Sequence, residues 1–174
     1  SAGAAIAIKE WLATRGIKGT IRLYGTPAEE GGAGKAYIVR AGLLEDADVA
    51  LHWHAADRND ASQNGSNSNK SGKFRFHGVS SHAAGAPEKG RSALDAVEAM
   101  DMMANMMREH MPQEARMHYV ITRGGAAPNV VPDFAEVFYY MRHPDPKVVQ
   151  ALWERLTKIA AGAALGTGTT WDVE

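Results

Sequence analysis

The feature that most constrains the fold is the order of six segments between residues 73 and 173. Four of them alternate polar and apolar side chains, as strands do: residues 73–79, 116–123, 135–142 and 169–173. Two keep the apolar spacing of helices: residues 91–110 and 146–165. The resulting order, β-α-β-β-α-β, is typical of an α+β ferredoxin-like fold, with both helices on one face of an antiparallel sheet.

The first part of the chain predicts a different organisation. Helical patterns at residues 2–15 and 33–41 alternate with short strand patterns at residues 20–24 and 47–53. This alternation is typical of a doubly wound, mostly parallel α/β sheet. An Asn-, Ser- and Gly-rich stretch at residues 58–72 has linker composition. We therefore predict two domains, residues 1–69 and residues 70–174.

Composition narrows the function. Hydrophobic residues make up 45% of the chain, which is enough for a packed core. The 19 basic and 20 acidic residues give a formal net charge of -1, so we expect neither a nucleic-acid nor a membrane partner. We also expect a cytoplasmic protein. Because the sequence contains no cysteine, a transition-metal site formed by these residues would use imidazole and carboxylate ligands.

Glu29, Glu30 and His54 follow the two predicted strands of the first domain. Taken alone, the two carboxylates are explained by a charged turn before a helix, where the helix dipole favours negative charge. The functional alternative is a metal-assisted hydrolase, in which one carboxylate binds a cation and its neighbour moves a proton. His54 lies at the end of the next strand, and the ends of neighbouring parallel strands meet at one edge of a sheet.

Three further candidates lie in the second domain. His82 lies in a flexible loop of small residues between a strand and a helix, and the residues alone are explained by a loop histidine without a task. Asn129 lies in a Gly- and Pro-rich turn and could offer its amide to a substrate. Arg142 ends a strand and is either a solvated charge or a carboxylate anchor. Met102 and Met106 fall outside the apolar stripe of their helix, which hints at a subunit contact.

Taken together, the motifs resemble one family. YGTPAEEGGAGKAYIVRAG, then His54, then SSHAAGAPEKGRSALDA, then PNVVPDFAEVFYYMR resemble the di-metal amidohydrolases, which include aminoacylases, carboxypeptidase G and indole-acetyl-amino-acid hydrolases. The resemblance implies that Glu29 is the general base and acid. It implies that Glu30 and His54 are metal ligands. It also implies that the loop histidine, His82, stabilises an oxyanion in the partner subunit, while Asn129 and, less directly, Arg142 contact substrate.

The resemblance also implies a biological context. It implies two divalent ions, zinc or manganese, and hydrolysis of N-acyl amino acids, with aminobenzoyl-glutamate as the expected substrate. Residues 70–174 become a lid and dimerisation domain, so a homodimer is expected, with a second type of subunit as a further partner. Family members carry additional metal ligands that this chain lacks, so we expect an internal fragment that is inactive alone. The alternative is a non-catalytic dimerisation or assembly module.

Overall fold

The computed structural model describes residues 1–61 and 65–174, and the chain divides into two units between residues 62 and 63. The second unit contains four strands and two long helices. They are β1 (Ser68–His77), α4 (Ala93–Met107), β2 (Arg116–Arg123), β3 (Phe134–His143), α5 (Pro146–Thr167) and β4 (Thr170–Val173). The predicted β-α-β-β-α-β order is therefore confirmed.

The four strands form one antiparallel sheet in the order β2-β3-β1-β4. Alternate residues of β1 and β3 point to opposite faces of this sheet, as strand geometry requires. Phe74 and Phe76 of β1 face the two helices and are fully buried, whereas Lys73 and Arg75 lie on the other face. We call the face that the helices leave uncovered the open face.

The core is built from the helix-facing side of the sheet and the apolar stripes of α4 and α5. In α4, Val97, Met100 and Ala104 are fully buried, while Met102 and Met106 are 63% and 61% exposed. The helical periodicity therefore predicted correctly which methionines face the sheet. Burial of these side chains supplies most of the favourable free energy of folding in this unit.

The helix ends follow local sequence signals. Ser92 caps α4, because its hydroxyl accepts a hydrogen bond from the backbone N–H of Asp95 at 3.1 Å. Asp145 caps α5 by accepting from the N–H of Lys147 at 2.8 Å, and Pro146 occupies the first helical turn. Gly168 ends α5 in the left-handed conformation, with φ of 66°, which glycine adopts without steric cost.

The first unit contains three helices, α1 (Ala2–Thr14), α2 (Glu29–Gly32) and α3 (Gly34–Arg40), and no strand among residues 1–61. The strands predicted at residues 20–24 and 47–53 are not formed. A strand of a parallel sheet needs a hydrogen-bonded neighbour and cover on both faces, and Leu51 and Trp53 remain 86% and 73% exposed. The α+β part of the predicted fold class is therefore observed, and the doubly wound sheet is not formed by these residues.

Within the described residues, no helix has both the length and the apolar character needed to cross a lipid bilayer.

A buried carboxyl group lies in the core of the second unit. Asp101 of α4 is 6% exposed and accepts a hydrogen bond from the hydroxyl of Tyr139 on β3 at 2.5 Å. Burial raises the pKa of Asp101 to about 6, with a smaller contribution from the negative charge of Glu98. The hydrogen bond from Tyr139 opposes this shift without cancelling it.

Because the folded state holds this proton more tightly than the unfolded state, stability should fall as pH rises from about 4 to about 6 and then level off. We expect Asp101→Asn to gain roughly 1–3 kcal/mol of unfolding free energy at pH 7 and to lose this part of the pH dependence. Urea unfolding followed by circular dichroism at pH 4, 5, 6 and 7 measures both effects. The exposed Glu109→Gln is the matched control, and an Asp101→Asn curve that follows the wild type at every pH would show that the buried carboxyl carries no such cost.

Candidate functional site

The loop that carries His82 and the turn that carries Asn129 lie side by side. The backbone N–H of Ala83 donates to the carbonyl of Asn129 at 2.9 Å, and Val131 donates to the carbonyl of Ser81 at 2.9 Å. His82 itself pairs with Val130 as an antiparallel bridge. The two segments are far apart in sequence, so this pairing places the imidazole and the amide at one end of the sheet. Both residues are exposed.

The hydrogen bonds around His82 fix which of its nitrogens can act as a donor. Its Nδ1 accepts from the backbone N–H of Ala84 at 3.2 Å and of Gly85 at 3.0 Å. A nitrogen that accepts hydrogen bonds carries no proton, so in the neutral ring the proton lies on Nε2. The loop therefore presents an Nε2–H donor to the exterior, which is the group needed to bind a developing oxyanion.

Arg142 lies at the opposite end of the sheet from these loops. It stands opposite Asn69 at the start of β1, whereas Phe134, at the other end of β3, stands opposite His77. Arg142 lies eight positions after Phe134, which is about 26 Å of extended chain. Arg142 is exposed on the open face, with its guanidinium 5.5 Å from the ring centre of Tyr140. One copy of the chain therefore does not bring Arg142 together with His82.

Glu29 and Glu30 begin the four-residue helix α2, and both are exposed. This helix is irregular, because Glu30 has non-helical backbone angles and the alanines on either side, Ala28 and Ala33, adopt positive φ values of 54° and 50°. Among residues 1–61, no hydrogen bond or ion pair links either carboxylate to His54. The sheet edge that was expected to join them is absent with the two unformed strands.

His54 is exposed, and its Nδ1 lies 2.8 Å from the carbonyl oxygen of Ala55. A carbonyl oxygen only accepts, so Nδ1 carries the proton and Nε2 keeps its lone pair. Metal-binding histidines commonly donate one ring N–H to a backbone carbonyl in this way. In this arrangement a neutral His54 offers its Nε2 lone pair to a metal ion.

A metal ion nevertheless needs more than one suitable donor. In the part of the chain that the structure describes, no three His, Asp or Glu side chains converge on a position that could hold an ion. Four ligands complete the usual shell of a zinc ion. The residues described here therefore do not by themselves form a metal centre.

The second unit has an exposed sheet edge. β2 is an edge strand, so its outer backbone groups have no partner strand among the described residues. Val120 of this strand is 56% exposed, and Met102 and Met106 of α4 are more exposed still. Met106 lines a groove with Arg155 and Ile159 of α5, so these methionines belong to the helix layer and not to β2. We call the outer side of β2 the edge surface.

Sequence reasoning did not single out Arg116. Its position became informative only with the strand register, which places it directly opposite Arg142 on the open face. The two arginines form the outermost pair between β2 and β3, so a correct alignment of residues 116–123 against 135–142 would have predicted the juxtaposition.

Comparison with known proteins identifies the relatives of this chain. The model of the peptidase dimerisation domain of the M20 family matches residues 64–167. A p-aminobenzoyl-glutamate hydrolase subunit from Escherichia coli is 48% identical over 96% of this chain. The Xaa-Arg dipeptidase of Mus musculus is 36% identical over 86% of it.

A solved structure shares the fold. An aminobenzoyl-glutamate utilization protein from Klebsiella pneumoniae matches 61% of this chain and 27% of its own, with a TM-score of 0.53 and 26% identity. The chain spans about a third of the length of its relatives, 35% for both the bacterial hydrolase subunit and the mouse dipeptidase. The chain belongs to the M20 peptidase family and carries that family's dimerisation domain.

Proposed function

We propose that this chain is part of a metal-dependent amidohydrolase that cleaves the amide bond of N-acyl amino acids, with aminobenzoyl-glutamate as its substrate. The observation that carries the proposal is the identity to the Escherichia coli hydrolase subunit, which extends over both units of the chain. The whole protein acts as a cytoplasmic homodimer, and a second type of subunit is a further partner.

In this proposal residues 1–69 belong to the catalytic domain. Glu29 accepts a proton from the attacking water and then delivers it to the leaving amine, which is the work of a general base and acid. Its exposed position on an irregular, Gly-rich turn supports this role, since a substrate can reach the carboxylate.

The protein is further proposed to hold two divalent ions, zinc or manganese. Glu30 and the Nε2 atom of His54 supply two of the ligands, and the others come from outside the residues described here. These donors suit such ions chemically. Equilibrium dialysis should therefore find that the full-length protein binds metal far more tightly than this chain alone.

Residues 70–174 supply the remaining groups. The Nε2–H of His82 is oriented by its two backbone hydrogen bonds, so it donates to the carbonyl oxygen as negative charge develops there. Asn129 lies beside it and offers its amide to the same substrate.

The separation of His82 from Arg142 supports a shared site between two copies. At about 26 Å along β3 the two side chains cannot reach one substrate from the same lid. A dimer allows His82 and Asn129 of one copy to act on a substrate whose carboxylate is held by Arg142 of the other. The edge surface offers the dimer contact, because its unpaired backbone groups can form hydrogen bonds with a strand of a second copy.

The edge surface also favours the alternative, a non-catalytic assembly module. Measured turnover distinguishes the amidohydrolase from the assembly module. The full-length gene product that contains this chain should release glutamate from N-(4-aminobenzoyl)-L-glutamate when zinc or manganese is supplied, as measured by chromatography of the products. A dimeric, metal-loaded protein that leaves this compound and other N-acyl amino acids intact would favour the non-catalytic assembly module.

A further inference from the structure

Two arginines face each other on the open face of the sheet. Arg116 of β2 and Arg142 of β3 are direct cross-strand partners, and both are exposed. Like charges directly opposite on neighbouring strands destabilise a sheet. Among residues 1–61 and 65–174, no carboxylate lies within 4.0 Å of either guanidinium. The pair therefore forms a concentrated positive charge that the described residues leave without a neutralising partner.

The two guanidiniums are supported by neutral contacts. Nη1 of Arg116 donates to the backbone carbonyls of Gln113 at 2.6 Å and Ala115 at 2.7 Å. Its Nε and Nη2 atoms have no hydrogen-bond partner within the described residues, so one full edge of the fork stays available to a carboxylate. Arg142 rests against the ring of Tyr140 at 5.5 Å, and an arginine stacked on an aromatic ring keeps its donors.

We propose that Arg116 and Arg142 together select substrates whose amino-acid part is a dicarboxylate. Arg142 binds the carboxylate next to the amide, and Arg116 binds the carboxylate of the side chain. In glutamate the two groups are joined by a short three-carbon chain, which matches arginines whose Cβ atoms lie roughly 5 Å apart. This inference rests on the proposed function and adds Arg116 as its specificity-determining residue.

The same charge argues against basic substrates. A substrate with a lysine or arginine side chain would bring a third positive charge to the pair, and no described carboxylate is close enough to offset it. A neutral side chain such as that of glutamine would lose the charge-assisted hydrogen bond to Arg116 and keep the contact to Arg142.

Substrate preference in the full-length gene product tests the inference. We compare kcat/KM for the N-(4-aminobenzoyl) derivatives of glutamate, glutamine and arginine in the wild type and in Arg116→Gln. The preference for the glutamate over the glutamine compound should fall by roughly tenfold to hundredfold in the variant. Arg155→Gln, which removes an exposed arginine from α5, is the matched control and should keep the wild-type preference.

The outcomes separate this inference from the proposed function. An active protein whose preference is unchanged by Arg116→Gln would overturn the role of Arg116 and leave the proposed function standing. A protein that cleaves none of the compounds would overturn the proposed function. In that case, nuclear magnetic resonance of this chain tests whether Arg116 and Arg142 bind a dicarboxylate. Glutarate should shift the Nε–Hε signals of Arg116 and Arg142 at lower concentration than acetate does, and equal effects of the two anions would refute a dicarboxylate site.

Discussion

Replacement of Glu29 by glutamine should lower kcat of the full-length protein by about 10²–10⁴-fold while its metal content stays unchanged. Glutamine keeps the size and the hydrogen-bonding capacity of the side chain and removes its ability to take a proton from water. Because Glu29 is exposed and makes no ion pair within the described residues, folding should be unaffected. Turnover of N-(4-aminobenzoyl)-L-glutamate and the bound metal measured by atomic absorption test both statements.

The comparison with two other glutamates sharpens this test. Glu10→Gln removes a carboxylate from α1 and should leave kcat within about twofold of the wild type. Glu30→Gln should lower the metal content as well as the rate, because Glu30 is proposed as a ligand. If Glu29→Gln keeps wild-type turnover, or loses metal as Glu30→Gln does, the division of roles between the two neighbouring carboxylates is wrong.

Replacement of His82 by alanine should lower kcat by about 10²–10³-fold with a much smaller change in KM. The Nε2–H donor is proposed to act on negative charge that develops only during the reaction, so its loss should affect the transition state more than substrate binding. The backbone pairing of residues 81–83 with residues 129–131 does not use the imidazole and should remain. The variant loses only the hydrogen bonds that Ala84 and Gly85 donate to Nδ1.

His110→Ala is the control for the His82 variant. His110 is an exposed histidine in the short 3-10 helix that follows α4, remote in sequence from the paired loops, and its removal should leave kcat unchanged. A His82→Ala protein that retains the wild-type kcat would contradict the oxyanion role, whatever its effect on KM.

The fold of the second unit could be predicted from the sequence because its signals are local and complete. Phe74 and Phe76 alternate with charged residues along β1, so one face of the strand is apolar. This pattern determines which side chains of the strand point into the core. Ser92 and Gly168 mark a helix start and a helix end by their own side-chain and backbone preferences. All four strands find partners within this unit, so local pattern and tertiary pairing agree.

The first unit could not be predicted in the same way. Residues 47–53 have the composition of a buried parallel strand, and such a strand forms only between neighbours. The described residues provide none, and Leu51 and Trp53 are exposed as a result. The positions of Glu30 and His54 relative to a sheet edge depended on that pairing, so their proposed roles rest on the family resemblance and on the tautomer of His54.

Two features of the second unit depend on tertiary geometry that the sequence does not reveal. The buried contact of Asp101 with Tyr139 joins a helix to a strand 38 residues later, and an aspartate within an amphipathic helix predicts no particular partner. The facing pair of Arg116 and Arg142 follows from the exact register of β2 against β3. A shift of one residue would place Arg116 on the other face of the sheet.

The central claim is that Glu29 of one copy works with His82 of another, and subunit mixing tests it most directly. Inactive Glu29→Gln and His82→Ala dimers are dissociated, mixed in equal amounts and reassociated, and turnover is then measured. Half of the dimers should be mixed, each with one intact site that takes Glu29 and His82 from different copies, so activity should return to about a quarter of the wild type. A mixture that contains mixed dimers, as verified by mass spectrometry, and stays inactive would contradict a site shared between copies.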